Sequence, residues 1–88
     1  MTMWKIKWDS KAEKQFLNLD HPLRKRILNV IHSKLLRNPD IHLIPLVGDK
    51  AGMYKFRVGD YRLLCNKNDN ELVILVVKVK HRKEVYRN

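Results

Sequence analysis

The stretch ELVILVVKV, residues 71–79, is a nearly continuous β-branched run. A strand with two apolar faces needs cover on both, which marks it as the central strand of a sheet. The rest of the chain must supply its neighbours and a covering layer. At 88 residues there is room for one domain, 1–88, with a modest core, because a short chain buries a smaller fraction of its surface than a long one.

The other elements follow from period and punctuation. From Met3 to Trp8, the residues Trp4, Ile6 and Trp8 alternate with Lys5 and Lys7, the pattern of a half-exposed strand. In DSKAEKQFLNL, Ser10 and Glu13 have the spacing of a capping box, so a short helix is expected to begin there, with Ala12, Phe16 and Leu19 as its apolar stripe. DHPLRKRILNVIHSKLLRNP reads as a second helix, with Pro22 suited to its first turn and Asn38-Pro39 as its stop. Leu23, Ile27, Ile31 and Leu35 recur every four residues on its inner side, while Arg24, Lys25, Arg26, Lys34 and Arg37 decorate the rest. Residues 40–51 show no period, only scattered Ile, Leu and Val, and are expected to form a loop pinned to the core. The predicted fold is α+β: two N-terminal helices packed on a mainly antiparallel four-stranded sheet in the order β-α-α-β-β-β, with a short C-terminal element.

Two of those strands flank Gly59-Asp60 in MYKFRVGDYRLL. A two-residue Gly-X connection suits a type II′ turn, because glycine takes the positive φ of its first central position. That turn sets Val58 opposite Tyr61, Arg57 opposite Arg62, Phe56 opposite Leu63 and Lys55 opposite Leu64. Opposed residues share a face, so Tyr54, Phe56, Val58, Tyr61 and Leu63 pack on the helices and Lys55, Arg57 and Arg62 form a positive patch on the other side. Like charges directly opposed are unfavourable. Splaying into water would relieve them, neutralisation by Asp60 and Glu71 would relieve them, and so would a bound anion; phosphate matches the planar fork of arginine.

Charge extends the argument beyond the hairpin. Lys and Arg number 19 against 9 Asp and Glu, a formal charge of +10 with a pI near 10.1. Such a surface favours a polyanion, nucleic acid first, although an anionic membrane or an acidic protein would satisfy the same charge. The single cysteine, Cys65, is expected to be a small buried residue of a strand. It can close no internal disulfide, and no Cys/His spacing suggests a metal site. No apolar run is long enough for a bilayer, and the N-terminus lacks a signal-peptide layout, so the reading is cytoplasmic.

Tyr54-Lys55-Phe56-Arg57, then Gly59-Asp60-Tyr61-Arg62-Leu63, a hydrophobic strand, and the ending HRKEVYR together resemble the RelE/ParE toxin superfamily, especially the RelE-type messenger RNA interferases of toxin–antitoxin pairs. The resemblance covers nearly the whole chain. It implies a small sheet on two helices and cleavage of messenger RNA in the ribosomal A site without metal or cofactor. It carries site roles to Lys55, Arg57 and Arg62, and at the C-terminus to Arg82 and Tyr86. Spacing near the end varies among relatives, so Lys80 is an alternative to Arg82, and His81 offers a proton-transfer group. The partners implied are a cognate antitoxin with a segment that folds on binding, messenger RNA, and ribosomal RNA held by phosphate contacts from Lys25, Arg26, Lys80, Lys83 and Arg87.

The chemistry can be weighed on its own terms. RNA carries its own nucleophile, the 2′-OH, and its attack on the adjacent phosphate needs a proton acceptor, charge stabilisation at phosphorus and a donor for the leaving oxygen. The patch has no pair of carboxylates, which leaves Lys55, His81 or a water as the base. Crowding by like charge favours a neutral lysine amine, so Lys55 leads. Arg57 and Arg62 would hold the phosphate, and Arg82 would serve the leaving group, where a histidine is by nature the better acid. Tyr86 is either a core residue or a ring on which an RNA base stacks. Two rival functions stand beside cleavage: a ParE-like toxin that acts on DNA gyrase, and a non-catalytic nucleic-acid-binding module.

Overall fold

The computed structural model describes residues 3–85. Five strands form one sheet among them: β1 (Lys5–Trp8), β2 (Ile44–Pro45), β3 (Tyr54–Val58), β4 (Tyr61–Asn68) and β5 (Val73–His81), in the order β1-β5-β4-β3-β2. The apolar run does lie inside the sheet, between β1 and β4. β1 runs parallel to β5 and every other pairing is antiparallel. The expected four strands become five because residues 40–51 hold a two-residue edge strand, too short for any period to reveal it. A short helix α3 (Pro39–His42) precedes that strand, so Pro39 both ends the long helix and opens the next one.

Helices α1 (Ser10–Leu17) and α2 (His21–Val30) cover one face of the sheet. The N-cap of α1 is Asp9, whose carboxylate accepts the Lys11 N–H at 3.3 Å, with Ser10 already inside the helix. The expected Ser10–Glu13 capping box therefore does not form, and the cap lies one residue earlier: an aspartate at this position meets the first free N–H groups and a positive helix end. After Val30 the long helix continues as a π turn over Ile31–Leu35, closed by the Leu36 N–H to the Ile31 carbonyl at 2.9 Å. Side chains spaced four apart drift about 40° per step around a helix of 3.6 residues per turn. The wider turn absorbs that drift, and Ile27, Ile31, Leu35 and Leu36 all reach the core.

There they meet Ala12 and Phe16 of α1 and an inner sheet face of Phe56, Val58, Leu63, Cys65, Ile74, Val76 and Val79. Each large aliphatic side chain so buried contributes roughly 1.5–3 kcal/mol. Cys65 is fully buried, and burial pushes its thiol up to about 12, which makes it the packing residue anticipated from sequence. Of the apolar residues in 40–51, Leu43 is buried and Leu46 half-buried, whereas Ile41, Ile44 and Val47 face solvent, so the segment is pinned at fewer points than expected.

β5 breaks the simple alternation of a strand. Leu64 pairs with Lys78 and Cys65 with Val76, so Val77 is an extra residue on β5. This β-bulge resets the phase. Ile74 and Val76 point into the core before it, and Val79 does so after it. Past Trp8, which pairs with Val76, β1 no longer covers the edge of β5, and the Val79 N–H instead donates to Gln15 Oε1 of α1 at 2.9 Å.

Candidate phosphate-binding face

The hairpin has the register expected of it. Gly59 has φ +57°, and Leu72 is the sole non-glycine residue with positive φ among those described, so the turn needs left-handed backbone only at its first central position, as type II′ does. Arg57 pairs with Arg62, Phe56 with Leu63, and Lys55 with Leu64. β5 then extends both rows. Arg62 pairs with Lys80, giving Arg57–Arg62–Lys80 across three strands, and Leu64 pairs with Lys78, giving Lys55–Leu64–Lys78. Ile44 of β2, paired with Lys55, closes the second row at the sheet edge.

All of these side chains share the face away from the helices. Leu64 is buried yet lies outside the helix-side core, flanked by the aliphatic stems of Lys55 and Lys78. Lys55, Arg62, Lys78 and Lys80 are half-buried and Arg57 is exposed. Every charged residue in the two rows is a cation. Lys78 was not anticipated, because plain alternation from Ile74 and Val76 would turn it inward. The signal was present in the order Lys78-Val79-Lys80, counted backwards from the strand end.

The two carboxylates considered as neutralisers are engaged elsewhere. Asp60 Oδ1 lies 3.7 Å from Arg82 Nη1, and the Asp60 carbonyl accepts the Arg82 N–H at 2.6 Å, which ties the start of α4 (Arg82–Val85) to the hairpin. Glu71 sits at the far turn, where its carboxylate and its backbone N–H both bond the Asn68 side chain at 3.0 and 2.9 Å. Arg57 Nε donates to the Gly59 carbonyl at 3.2 Å. Among the described residues no cluster of three His, Cys, Asp or Glu could hold a metal ion.

The remaining candidates divide by position. His81 pairs with Tyr61, their rings edge to face at 5.0 Å, and Tyr61 packs on the core. Its register puts it on the helix side, opposite the cationic rows, and its Nδ1 accepts the Lys83 N–H at 3.1 Å. The structure therefore does not bring His81 to the face that holds Lys55, Arg57 and Arg62. Lys25 and Arg26 stand exposed on α2, Lys83 is exposed on α4, and Lys80 belongs to the first row. Tyr86 and Arg87 lie outside the described residues.

Comparison with known proteins agrees with this architecture. The family model of the ParE toxin of type II toxin–antitoxin systems, parDE, matches residues 6–86. The chain is 34% identical over 71 residues to the toxin RelG of Mycobacterium tuberculosis, covering 76% of this chain and 82% of RelG. Its fold is similar to one in the RelBE2 toxin–antitoxin complex of M. tuberculosis, with a TM-score of 0.83 at 24% identity over 90% of this chain and 98% of that one. The archaeal RelE–RelB complex of Pyrococcus horikoshii OT3 gives 0.69 at 26% identity, over 93% and 97%.

Proposed function

We propose that this chain, which belongs to the RelE/ParE superfamily of type II toxin–antitoxin toxins, is an endoribonuclease that cuts messenger RNA on the ribosome and so stops translation. The observation that carries the reading is the pair of cation rows on one rigid sheet face, with Arg57, Arg62 and Lys80 in line and Lys55 beside them. Lys55 takes the proton of the 2′-OH. The freed oxygen bonds to the adjacent phosphorus, and the bond from phosphorus to the 5′ oxygen of the next nucleotide breaks. The products are a 2′,3′-cyclic phosphate and a 5′-OH. Arg57 and Arg62 meet the charge that gathers on the non-bridging oxygens, where fixed donors need no reorganisation during the reaction.

For the leaving oxygen, Lys80 is favoured over His81 because it shares the row with Arg62, and over Arg82 because that guanidinium sits beside Asp60. Tyr86 is the proposed stacking platform for a base next to the cut, and Lys25, Lys83 and Arg87 supply phosphate contacts to ribosomal RNA. The reaction as drawn uses no metal or cofactor. The partner that silences it is a cognate antitoxin, in line with the toxin–antitoxin complexes of similar fold. An acidic segment of that partner, folding on contact, would complement the cationic face. The setting is the cytoplasm, where ribosomes work.

A gyrase-directed toxin is the second reading, supported by the ParE description of the matching family model. Purified chain, freed of antitoxin and added to translating ribosomes, separates the possibilities. New 5′-OH ends within the message are expected. Gyrase poisoning without cuts would establish the second reading, and RNA binding without either would leave a non-catalytic module.

A further inference from the structure

Three guanidiniums converge on the two-residue turn Gly59-Asp60. Arg57, on the open face, donates from Nε to the Gly59 carbonyl at 3.2 Å. Arg26 reaches the same residue from α2: a methyl group built on Gly59 would meet its Nη2 at 3.4 Å and its Nη1 at 3.5 Å. Arg82 lies by Asp60, the one carboxylate of the turn. Among the described residues neither Arg26 nor Arg57 is in an ion pair, so the tip carries excess positive charge.

Gly59 leaves room beside the Arg26 guanidinium. The residue has no side chain, and its φ of +57° restricts the position to glycine, so a planar guanidinium can lie against bare backbone. A guanidinium so placed loses less freedom when it binds than a lysine waving in solvent. Arg57 spends one donor on the Gly59 carbonyl and keeps its four terminal N–H groups. Lys25, one residue before Arg26, points about 100° away around the helix. It lines a groove between α1 and α2 of about 530 Å³ with Phe16, Leu17, His21, Arg24 and Leu28.

We infer that Arg26 and Arg57 form a second phosphate site at the hairpin tip, one that grips the backbone of the substrate RNA strand next to the phosphate cut on the sheet. The inference rests on the cleavage reading above. Arg57 belongs to both places, since it heads the row Arg57–Arg62–Lys80 and touches the turn. A strand crossing that row meets the tip next, with α2 beyond it. Arg26 thus leaves the group of cations assigned to ribosomal RNA and joins the substrate path.

The test uses the full chain, freed of antitoxin, and a single-stranded RNA of six nucleotides whose 2′-OH groups are replaced by hydrogen at the cut position. Anisotropy titrations at several KCl concentrations give the affinity and its salt slope. Arg26→Gln should bind the hexamer about tenfold more weakly at low salt, with a slope smaller by about 0.7, the increment for one phosphate of a single strand. A dinucleotide, which spans only the sheet row, should bind Arg26→Gln and the parent alike. Lys14→Ala, which removes an exposed charge on α1, should leave both affinities unchanged. Equal hexamer slopes for Arg26→Gln and the parent would overturn the inference. So would equal loss on both RNAs, or a loss confined to ribosome association. If the slope falls as expected while the parent chain makes no cuts in messages on translating ribosomes, the cleavage reading fails and the tip site stands.

Discussion

β4 carries a basic residue near each end, and the two are handled in opposite ways. Lys67 hydrogen-bonds Asp40 Oδ1 of α3, lies 3.2 Å from Asp69 Oδ1, and has the rings of Trp4 and Tyr54 at 5.9 and 5.8 Å from its ammonium. Its side chain is only 11% exposed. Arg62, at the other end, has Arg57 and Lys80 as its cross-strand neighbours. A cation that serves the fold is built together with its counter-ions, because an uncompensated charge that leaves water is costly. Cations collected on one face with like neighbours weaken the fold locally. A phosphate brought to that face would offset the repulsion between like neighbours.

The contrast is open to experiment, and the strongest effect should come from the cationic end. Arg62→Ala is expected to slow single-turnover cleavage about a hundredfold, roughly 3 kcal/mol of transition-state stabilisation, with a melting temperature close to the parent's. An unchanged rate would remove Arg62 from the chemistry. Lys55→Ala should fall comparably, and Lys55→Arg should not recover, because arginine does not readily surrender a proton; full activity of the arginine variant would exclude Lys55 as the base.

Lys67→Met should show the reverse pattern. Exposed carboxylates and two ring contacts suggest about 1 kcal/mol of lost stability, which lowers the melting temperature of a domain this size by about 4–8 °C, with cleavage per folded molecule intact. Loss of activity without loss of stability would end the distinction between the two ends. A pH series refines it. The hydrogen bond to Asp40, with a smaller one from Asp69, holds the Lys67 ammonium above its ordinary value of 10.5 in spite of partial burial. A raised folded value means that the contribution is complete below the unfolded value and disappears as pH rises through the folded one. The melting-temperature gap between parent and Lys67→Met should therefore be constant from pH 7 to 9 and close above about pH 10.5; a gap that closes near neutrality would contradict the assignment. Asp60→Asn is expected to do least. Its pair with Arg82 spans 3.7 Å between side chains 61% and 58% exposed, so calorimetry should find a change below about 1 kcal/mol.

The hairpin was legible because one turn residue sets a whole register: once Gly59 is assigned to a type II′ turn, the opposed pairs follow by counting. The central strand was legible from its β-branched run. The phase within that run was not. Val and Leu stand on both faces of residues 73–77, so nothing in their identity tells inside from outside, and an extra residue leaves no mark. The same ambiguity hid Lys78 and let His81 be grouped with the cations when it pairs with Tyr61. The edge strand Ile44–Pro45 is too brief to carry a pattern, and the π turn follows from packing that a helical period cannot express. Asp9 and Ser10 are both good caps, and only the backbone chooses between them.

Val77 gives β5 two reading frames, one valid before it and one after. Within either frame, substitutions obey the ordinary rule of apolar inside and polar outside. The bulge is what holds the two frames in phase with the fold. A straight strand of the same length would exchange the faces of its end, turning Lys78 and Lys80 toward the helices and Val79 to solvent. Removing Val77 would instead join the frames into one alternation that leaves Val79 inside and both lysines on the cationic face. The end of the cationic rows thus rests on an irregularity that a strand one residue shorter would not need.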